Sequence, residues 1–124
     1  MGEGMLKKVL IVEDDPETAR LIAIMLEMFG FHTAIADSCR KALQDVARHD
    51  VDYLFMDLTL PDGDGLDLYE NIILKYPQFR GKAIFCSGKS LNSLKNTKIE
   101  KDRIPFLPKP FTLEQLSEYT KKWK

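Results

Sequence analysis

The sequence has little cysteine, and its two thiols, Cys39 and Cys86, have no CxxC spacing. Isolated cysteines of this kind are typical of free and mostly buried thiols in a cytosolic protein, so they indicate no function. No run approaches the roughly 18 to 20 consecutive apolar residues of a membrane span. The N-terminal MGEGMLKK has no apolar signal-peptide core. We therefore expect a soluble, cytoplasmic protein.

An excess of charge of one sign is also absent. The 18 basic and 19 acidic residues give a net charge of −1, and the basic residues are spread along the chain. No global attraction to nucleic acid or to a membrane surface results, so we expect neither as a direct partner. The chain of 124 residues has 44% hydrophobic and 30% charged residues, which is the composition of one globular domain with its own core.

Short apolar runs alternate with segments of helical spacing along the chain. We expect strands at residues 7–12, 31–36, 51–56, 82–87 and 104–108. Because these runs are nearly continuous in apolar residues, they predict a parallel sheet covered by helices on both faces, an α/β fold of the doubly wound (βα)5 type. In such sheets the site lies beyond the carboxyl ends of the strands.

The helices are predicted from apolar spacing and from their end signals. The first begins at Pro16 and stops at Gly30, the second follows Asp37 or Ser38, and the third ends before Pro77. The last begins with a capping box that Thr112 and Gln115 form. Between the fourth and fifth strands residues 88–103 are polar, so a helix there is the least firmly held.

Charged and polar residues gather directly after the predicted strands. They are Glu13, Asp14 and Asp15 after the first strand, Asp57 after the third, Ser87 and Gly88 after the fourth, and Lys109 after the fifth. If the first and third strands are neighbours, at least three carboxylates meet, and keeping them ionised near neutral pH needs a counter-ion. Lys109 supplies one positive charge, and an all-oxygen site with few protein ligands suits Mg²⁺ or Mn²⁺ better than Ca²⁺.

A carboxylate beside a divalent cation, a lysine and a hydroxyl group has what a phosphoryl group requires. The cation and the ammonium group neutralise charge on the transferred group while the carboxylate attacks as an oxygen nucleophile. Asp57 is therefore the candidate nucleophile.

Four motifs in this order resemble one known family. They are VLIVEDD, YLFMDLTLPDGDG, the pair SG and the triplet KPF. Together they resemble the receiver domain of two-component response regulators over roughly residues 7 to 122. We assign residues 7–124 to such a domain and residues 1–6 to an N-terminal extension. The resemblance implies a flavodoxin-like fold with sheet order 2-1-3-4-5.

The resemblance implies signal transduction by phosphorelay. A histidine kinase or a histidine phosphotransfer protein would phosphorylate Asp57, with Mg²⁺ (or Mn²⁺) as cofactor. Such a domain is not an enzyme in the usual sense, although it assists its own phosphorylation and dephosphorylation. Its change of conformation would control a downstream protein target or an output domain.

The resemblance also implies a set of metal ligands. Asp14 would bind Mg²⁺ directly, and Glu13 would act mainly through bound water. Asp57 and the backbone carbonyl of Thr59 would complete the ligands that the protein provides.

Three further positions match the family in the phosphoryl and switch regions. Ser87 would hydrogen-bond a phosphoryl oxygen, and Lys109 would pair with the phosphoryl group. Phe106 is at the aromatic switch position, where it would turn inward as Ser87 moves toward the phosphate. Phe106 lacks the hydroxyl of the tyrosine found in many relatives, so its switching would depend on packing. Gly63 replaces a larger apolar residue and should make the loop after Asp57 more mobile.

The remaining acids near Asp57 have a structural interpretation. Asp15 is expected to be the N-cap of the first helix. The aspartates after Asp57 are expected in a turn and in the first turn of a helix; they are Asp62, Asp64 and Asp67. An EF-hand is excluded, because placing Gly65 at loop position 6 puts Leu60 at position 1 and Asn71 at position 12.

The first helix has more apolar residues than one buried stripe needs. Leu21, Ile24, Met25 and Met28 fall outside that stripe. Either the helix is packed deeply, or the surplus forms a docking surface, because exposed apolar patches mark interfaces.

Two other functions and one question of context stay open at this point. A haloacid dehalogenase-type phosphohydrolase also uses an aspartate at a strand end, but its motif has a second acid two residues later, where this chain has Thr59. A receiver-like interaction module that works without phosphorylation would be expected to lack the acids or the lysine. The chain is expected to be a stand-alone receiver or part of a larger protein such as a hybrid histidine kinase.

Overall fold

The structure is a computed structural model, and it describes residues 6–88 and 98–123. Seven strands are described: β1 Lys8–Val12, β2 His32–Ala36, β3 Tyr53–Asp57, β4 Thr59–Leu60, β5 Gly63–Asp64, β6 Ala83–Ser87 and β7 Phe106–Pro108. Five helices are described: α1 Pro16–Met28, α2 Cys39–Val46, α3 Gly65–Lys75, α4 Lys98–Lys101 and α5 Leu113–Thr120. Short 3₁₀ turns at Pro77–Phe79 and Lys121–Trp123 follow α3 and α5.

Five strands form one parallel sheet in the order β2-β1-β3-β6-β7. The two-residue strands β4 and β5 form a separate antiparallel hairpin after β3. Without this hairpin the order is 2-1-3-4-5, so the predicted doubly wound fold is confirmed. Among the described residues, no helix is long and apolar enough to cross a membrane.

The sheet separates two apolar layers. Every residue of β3 and of β6 is buried, as expected for central strands with helices on both sides. Leu54 and Met56 face one layer with α2 and α3, whereas Tyr53 and Phe55 face the other with α1 and α5. This packing fixes which strand ends reach the same edge of the sheet.

Predicted helix caps are present at three helices. The Asp15 carboxylate accepts a hydrogen bond from Thr18 N, and the Ser38 hydroxyl accepts one from Lys41 N. Thr112 forms the predicted reciprocal capping box with its partner in the first turn of α5. Asp64, predicted as a turn acid, is the N-cap of α3.

Several predicted boundaries are shifted. Asp57 is the last residue of β3, one residue beyond the predicted end of that strand, whereas Ser87 ends β6 as it ends the predicted strand. The last predicted strand is shorter, because only Phe106–Pro108 pairs with β6. The apolar spacing of the last helix continues to Trp123 in the sequence, but α5 ends at Thr120 and a 3₁₀ turn follows. Most of the polar segment predicted as a weakly held helix lies outside the described residues.

Three of the four surplus apolar residues of α1 are exposed and Met25 is half-buried, so the prediction of a deeply packed helix is wrong. Leu21 is 57% exposed, Ile24 48% and Met28 65%. The alternative, a docking surface, stays a prediction. The loop after Asp57 contains the β4–β5 hairpin, in which Gly63 pairs with Leu60, and its expected mobility also stays a prediction.

Candidate functional site

The sheet order brings the predicted strand ends to one edge. Asp57 at the end of β3 is opposite Cys86 of β6, and Ser87 at the end of β6 is opposite Pro108, directly before Lys109. Val12 of β1 is opposite Met56, so Glu13 follows at the same level as Asp57. The acids, the hydroxyl group and the lysine that the sequence singles out therefore lie around the ends of adjacent strands.

Three carboxylates form a cluster at this edge. Glu13, Asp14 and Asp57 each offer one oxygen atom, and these oxygen atoms lie within 4.8 Å of one another. Glu13 and Asp57 are buried, whereas Asp14 is exposed to solvent. Hard divalent cations such as Mg²⁺ prefer oxygen ligands and keep several waters, so two buried acids and one at the solvent side fit such an ion.

Lys109 connects two of these acids. Its Nζ atom lies 2.6 Å from Glu13 Oε1 and 3.0 Å from Asp57 Oδ2. Burial alone would lower the pKa of Lys109, but its hydrogen bonds to the two carboxylates outweigh that effect and raise the pKa above its usual range. The ammonium form is therefore held directly beside the Asp57 carboxylate.

Burial perturbs the ionisation of Glu13. Burial raises the pKa of Glu13 above its usual value, and the hydrogen bonds from Lys109 and from the Asp15 amide offset only part of this effect. A second positive charge near Glu13 would stabilise its ionised form. The direct contact between Glu13 and Lys109 is not predictable from the sequence, because the two residues meet only through the order of the sheet.

The other carboxylate oxygen of Asp57 has a local partner. Thr59 N donates a hydrogen bond of 3.1 Å to Asp57 Oδ1, and Gly65 N donates one of 2.8 Å to the carbonyl of Leu58. A Cβ atom on Gly65 would lie 2.1 Å from the Asp57 carbonyl oxygen, so only glycine allows this approach. Apart from the exclusion of an EF-hand, no role was predicted for Gly65. Its position at the start of a helix after a run of acids was the available signal.

The predicted switch residues lie next to this cluster. Ser87 is buried at the end of β6, and Phe106 is buried in the apolar layer that contains Phe85 and Ile99. The backbone carbonyl of Phe106 accepts a hydrogen bond of 2.8 Å from the Tyr119 hydroxyl of α5. This bond connects the switch strand to α5.

Comparison with known proteins agrees with this geometry. The sequence pattern of the family described as "Response regulator receiver domain" matches residues 9–121. The chain belongs to this family. Membership of the receiver family supports phosphoacceptor signalling in two-component systems over the haloacid dehalogenase alternative.

Individual relatives show the same match. The chain is 33% identical over 112 residues to the response regulator protein PilR of Pseudomonas aeruginosa, covering 90% of this chain and 25% of PilR. It is therefore similar to about a quarter of that relative. A sensor protein from Polaromonas sp. JS666 is 30% identical, with a TM-score of 0.78 and 89% of both chains covered. A putative response regulator from Chloroflexus aurantiacus is 26% identical, with a TM-score of 0.83 and coverage of 94% and 96%.

Proposed function

We propose that this receiver domain accepts a phosphoryl group on Asp57 from a histidine kinase or a histidine phosphotransfer protein. The observation that carries the proposal is the position of the Lys109 ammonium group, 3.0 Å from Asp57 Oδ2 in a cluster of three carboxylates. The altered domain then acts on a downstream protein or on an output domain. We propose a cytoplasmic location, where thiols such as Cys39 and Cys86 stay reduced.

The transfer is a nucleophilic displacement at phosphorus. An Asp57 carboxylate oxygen forms the new O–P bond, the P–N bond of phosphohistidine breaks, and its electron pair leaves with the imidazole. Lys109 stabilises charge on the equatorial phosphoryl oxygens, and the Ser87 hydroxyl donates to one of them. The domain is consumed as phosphoacceptor, so it is not an enzyme acting on a separate substrate.

The carboxylates of Glu13, Asp14 and Asp57, with the backbone carbonyl of Thr59, are the residues that would hold Mg²⁺ (or Mn²⁺). When bound, the cation neutralises charge on the phosphoryl group. The Ser87 hydroxyl then moves toward the phosphoryl group, and the packing of Phe106 on β7 changes with it. Phe106 is already buried in the apolar layer that contains Phe85 and Ile99, so its contribution to switching comes from packing in that layer.

Intact mass after incubation with acetyl phosphate tests the proposal. We expect wild-type protein to gain one phosphoryl group in the presence of Mg²⁺ and none in its absence, because the acid cluster otherwise repels the anionic donor. Asp57→Asn should gain none. Asp67→Asn is the matched control, because Asp67 is an acid in the first turn of α3 and should leave phosphorylation unchanged.

Phosphorylation of Asp57→Asn at the wild-type level would contradict the assignment of the phosphoacceptor. A folded wild-type protein that gains no phosphoryl group from acetyl phosphate or from a phosphorylated histidine phosphotransfer protein would contradict the function itself.

A further inference from the structure

Asp62 connects the loop after Asp57 to α2 through hydrogen bonds. It lies in the turn between β4 and β5, and its carboxylate accepts hydrogen bonds of 2.8 Å from Cys39 N and 3.1 Å from Arg40 N. These amides are the first two of α2. The third, Lys41 N, donates to the Ser38 hydroxyl. The start of α2 is therefore capped mainly by a side chain from another loop, and not by its own N-cap residue alone.

The same loop leads directly back to Asp57. Thr59, the first residue of β4, donates its N–H to Asp57 and is paired across the hairpin with Asp64. Asp64 in turn accepts a hydrogen bond of 2.7 Å from Leu66 N of α3. The hydrogen bonds of Asp57 with Thr59 and of Asp64 with Leu66 thus join residues that are close in sequence. The hydrogen bonds of Asp62, in contrast, join the hairpin to a separate element.

A second contact shows that the hairpin lies against α2. A Cβ atom on Gly63 would be 3.2 Å from the Cys39 sulfur atom, so the two residues are close to van der Waals contact. The pKa of the Cys39 thiol is raised to about 11, first by burial and then by the charge and hydrogen bond of Asp62. The reactivity of the Cys39 thiol should therefore depend on the position of the hairpin.

We propose that Asp62 is a positioning residue for the phosphoacceptor site: it clamps the β4–β5 hairpin to α2 and thereby holds the Thr59 carbonyl where the cation binds. This inference rests on the proposed function. A carboxylate that accepts two backbone N–H groups forms charge-assisted bonds, which are stronger and more directional than neutral ones. Because coupling is reciprocal, cation binding beside Asp57 also stabilises the start of α2.

A titration with Mg²⁺ alone, followed through the backbone amide signals of Thr59 and Cys39, tests the proposal. We expect Asp62→Ala to weaken Mg²⁺ binding about three- to tenfold, since the hairpin loses its fixed position. Asp62→Asn keeps one neutral acceptor oxygen in place of the two carboxylate oxygens that accept from Cys39 N and Arg40 N, so its affinity for Mg²⁺ should lie between those of Asp62→Ala and the wild type. In Asp62→Ala the Cys39 amide should no longer respond to Mg²⁺.

Ser38→Ala is the matched control. It removes a side-chain cap from the same end of α2 without touching the hairpin. We expect it to destabilise the protein while the affinity for Mg²⁺ stays at the wild-type value. A loss of affinity that was merely a result of a weakened helix would appear in both variants and would overturn the proposal.

The Cys39 thiol gives an independent readout. We expect Mg²⁺ to slow its reaction with a disulfide reagent two- to fivefold in the wild type and to have no effect on Asp62→Ala. Asp62→Ala that binds Mg²⁺ as tightly as the wild type would overturn the proposal. These measurements involve no phosphoryl transfer. Wild-type protein that binds Mg²⁺ but gains no phosphoryl group would contradict the proposed function. The ratio of the Mg²⁺ affinities of the wild type and Asp62→Ala would still test whether Asp62 positions the hairpin.

Discussion

At the scale of single residues, the positive charge of Lys109 is central to the candidate site. Its ammonium group lies between Glu13 and Asp57 and is the one cation that the described residues place in contact with both. A fixed donor at developing charge in a partly buried site contributes substantially to a transition state. We therefore expect Lys109→Ala to slow phosphorylation by acetyl phosphate about a hundredfold, as measured by intact mass over time.

Lys121→Ala is a suitable control for this effect. Lys121 forms an ion pair with Glu118 at the exposed end of α5, so its removal should leave the phosphorylation rate unchanged. Lys109→Arg should restore only part of the rate, because a planar guanidinium group does not reproduce a compact ammonium group. A wild-type rate in Lys109→Ala would show that the contact with Asp57 has no part in the transfer.

The environment of Cys39 gives a pH prediction. With its pKa raised from 9.0 to about 11, the thiol should react with an alkylating reagent along a pH profile centred near 11. At pH 8 its thiolate fraction should be about a hundredfold below that of an unperturbed thiol. Since the folded state holds this proton more tightly, Cys39 contributes stability that is present below pH 9 and is lost as the pH rises toward 11.

The measurement is the alkylation rate of native protein between pH 7 and 11, with modification located by mass spectrometry. Cys86 is fully buried and should not react in the folded protein. Cys39→Ala is the control that should abolish alkylation of the folded protein. A midpoint near 9 for Cys39 would contradict the burial and the acidic surroundings of this thiol.

At the scale of elements, the close approach of α3 to the phosphoacceptor strand depends on Gly65. Any side chain there would meet the Asp57 carbonyl oxygen, which is backbone and cannot move away cheaply. We expect Gly65→Ala to lower the free energy of unfolding by about 2 to 3 kcal/mol through overpacking. The substitution should also slow phosphorylation, because relief of the clash moves α3 away from Asp57 and displaces the phosphoacceptor.

Chemical denaturation of Gly65→Ala beside Gly88→Ala measures this effect. Within the described part of the chain a Cβ atom on Gly88 meets no atom within 4 Å, so this exchange should change stability by less than about 1 kcal/mol. Equal stabilities of the two variants would mean that α3 adjusts without strain.

At the scale of the whole molecule, an aromatic cluster that stabilises the fold lies at the opposite end of the sheet from the candidate site. The Trp123 ring is stacked on Tyr53 with centroids 4.4 Å apart, and the Tyr53 hydroxyl donates a 3.0 Å hydrogen bond to the Trp123 carbonyl. Phe31 packs edge-on against the same indole. Tyr53 begins β3 and Asp57 ends it, a separation of about 13 Å along the strand.

We therefore expect Trp123→Ala to cost about 3 to 5 kcal/mol of stability without altering the site. Thermal or denaturant unfolding measures the first effect, and phosphorylation of the folded fraction measures the second. Trp123→Phe keeps an aromatic ring and should lose less stability. A slower transfer in fully folded Trp123→Ala would show that the two ends of the sheet are coupled.

The sequence was sufficient for the architecture and for the choice of reactive residues. Alternating apolar runs and helical stripes predict the βα order, because each residue's preference for burial is a local property. The Asp15 and Thr112 caps were also predictable, since a cap contacts amides two or three residues away. The same holds for the charged residues at the strand ends, because topology places all carboxyl ends at one edge.

Only the tertiary structure decided which of these residues meet. The Glu13–Lys109 ion pair, the Asp62 cap on α2 and the close approach of Gly65 to Asp57 each join segments whose distance in space depends on the packed sheet. The exposure of Leu21 and Met28 likewise depends on how much of α1 the sheet covers. Hydrophobic patterning records how each residue prefers water or core, but it carries no information on the pairwise distances between distant segments. Those distances arise when the layers pack.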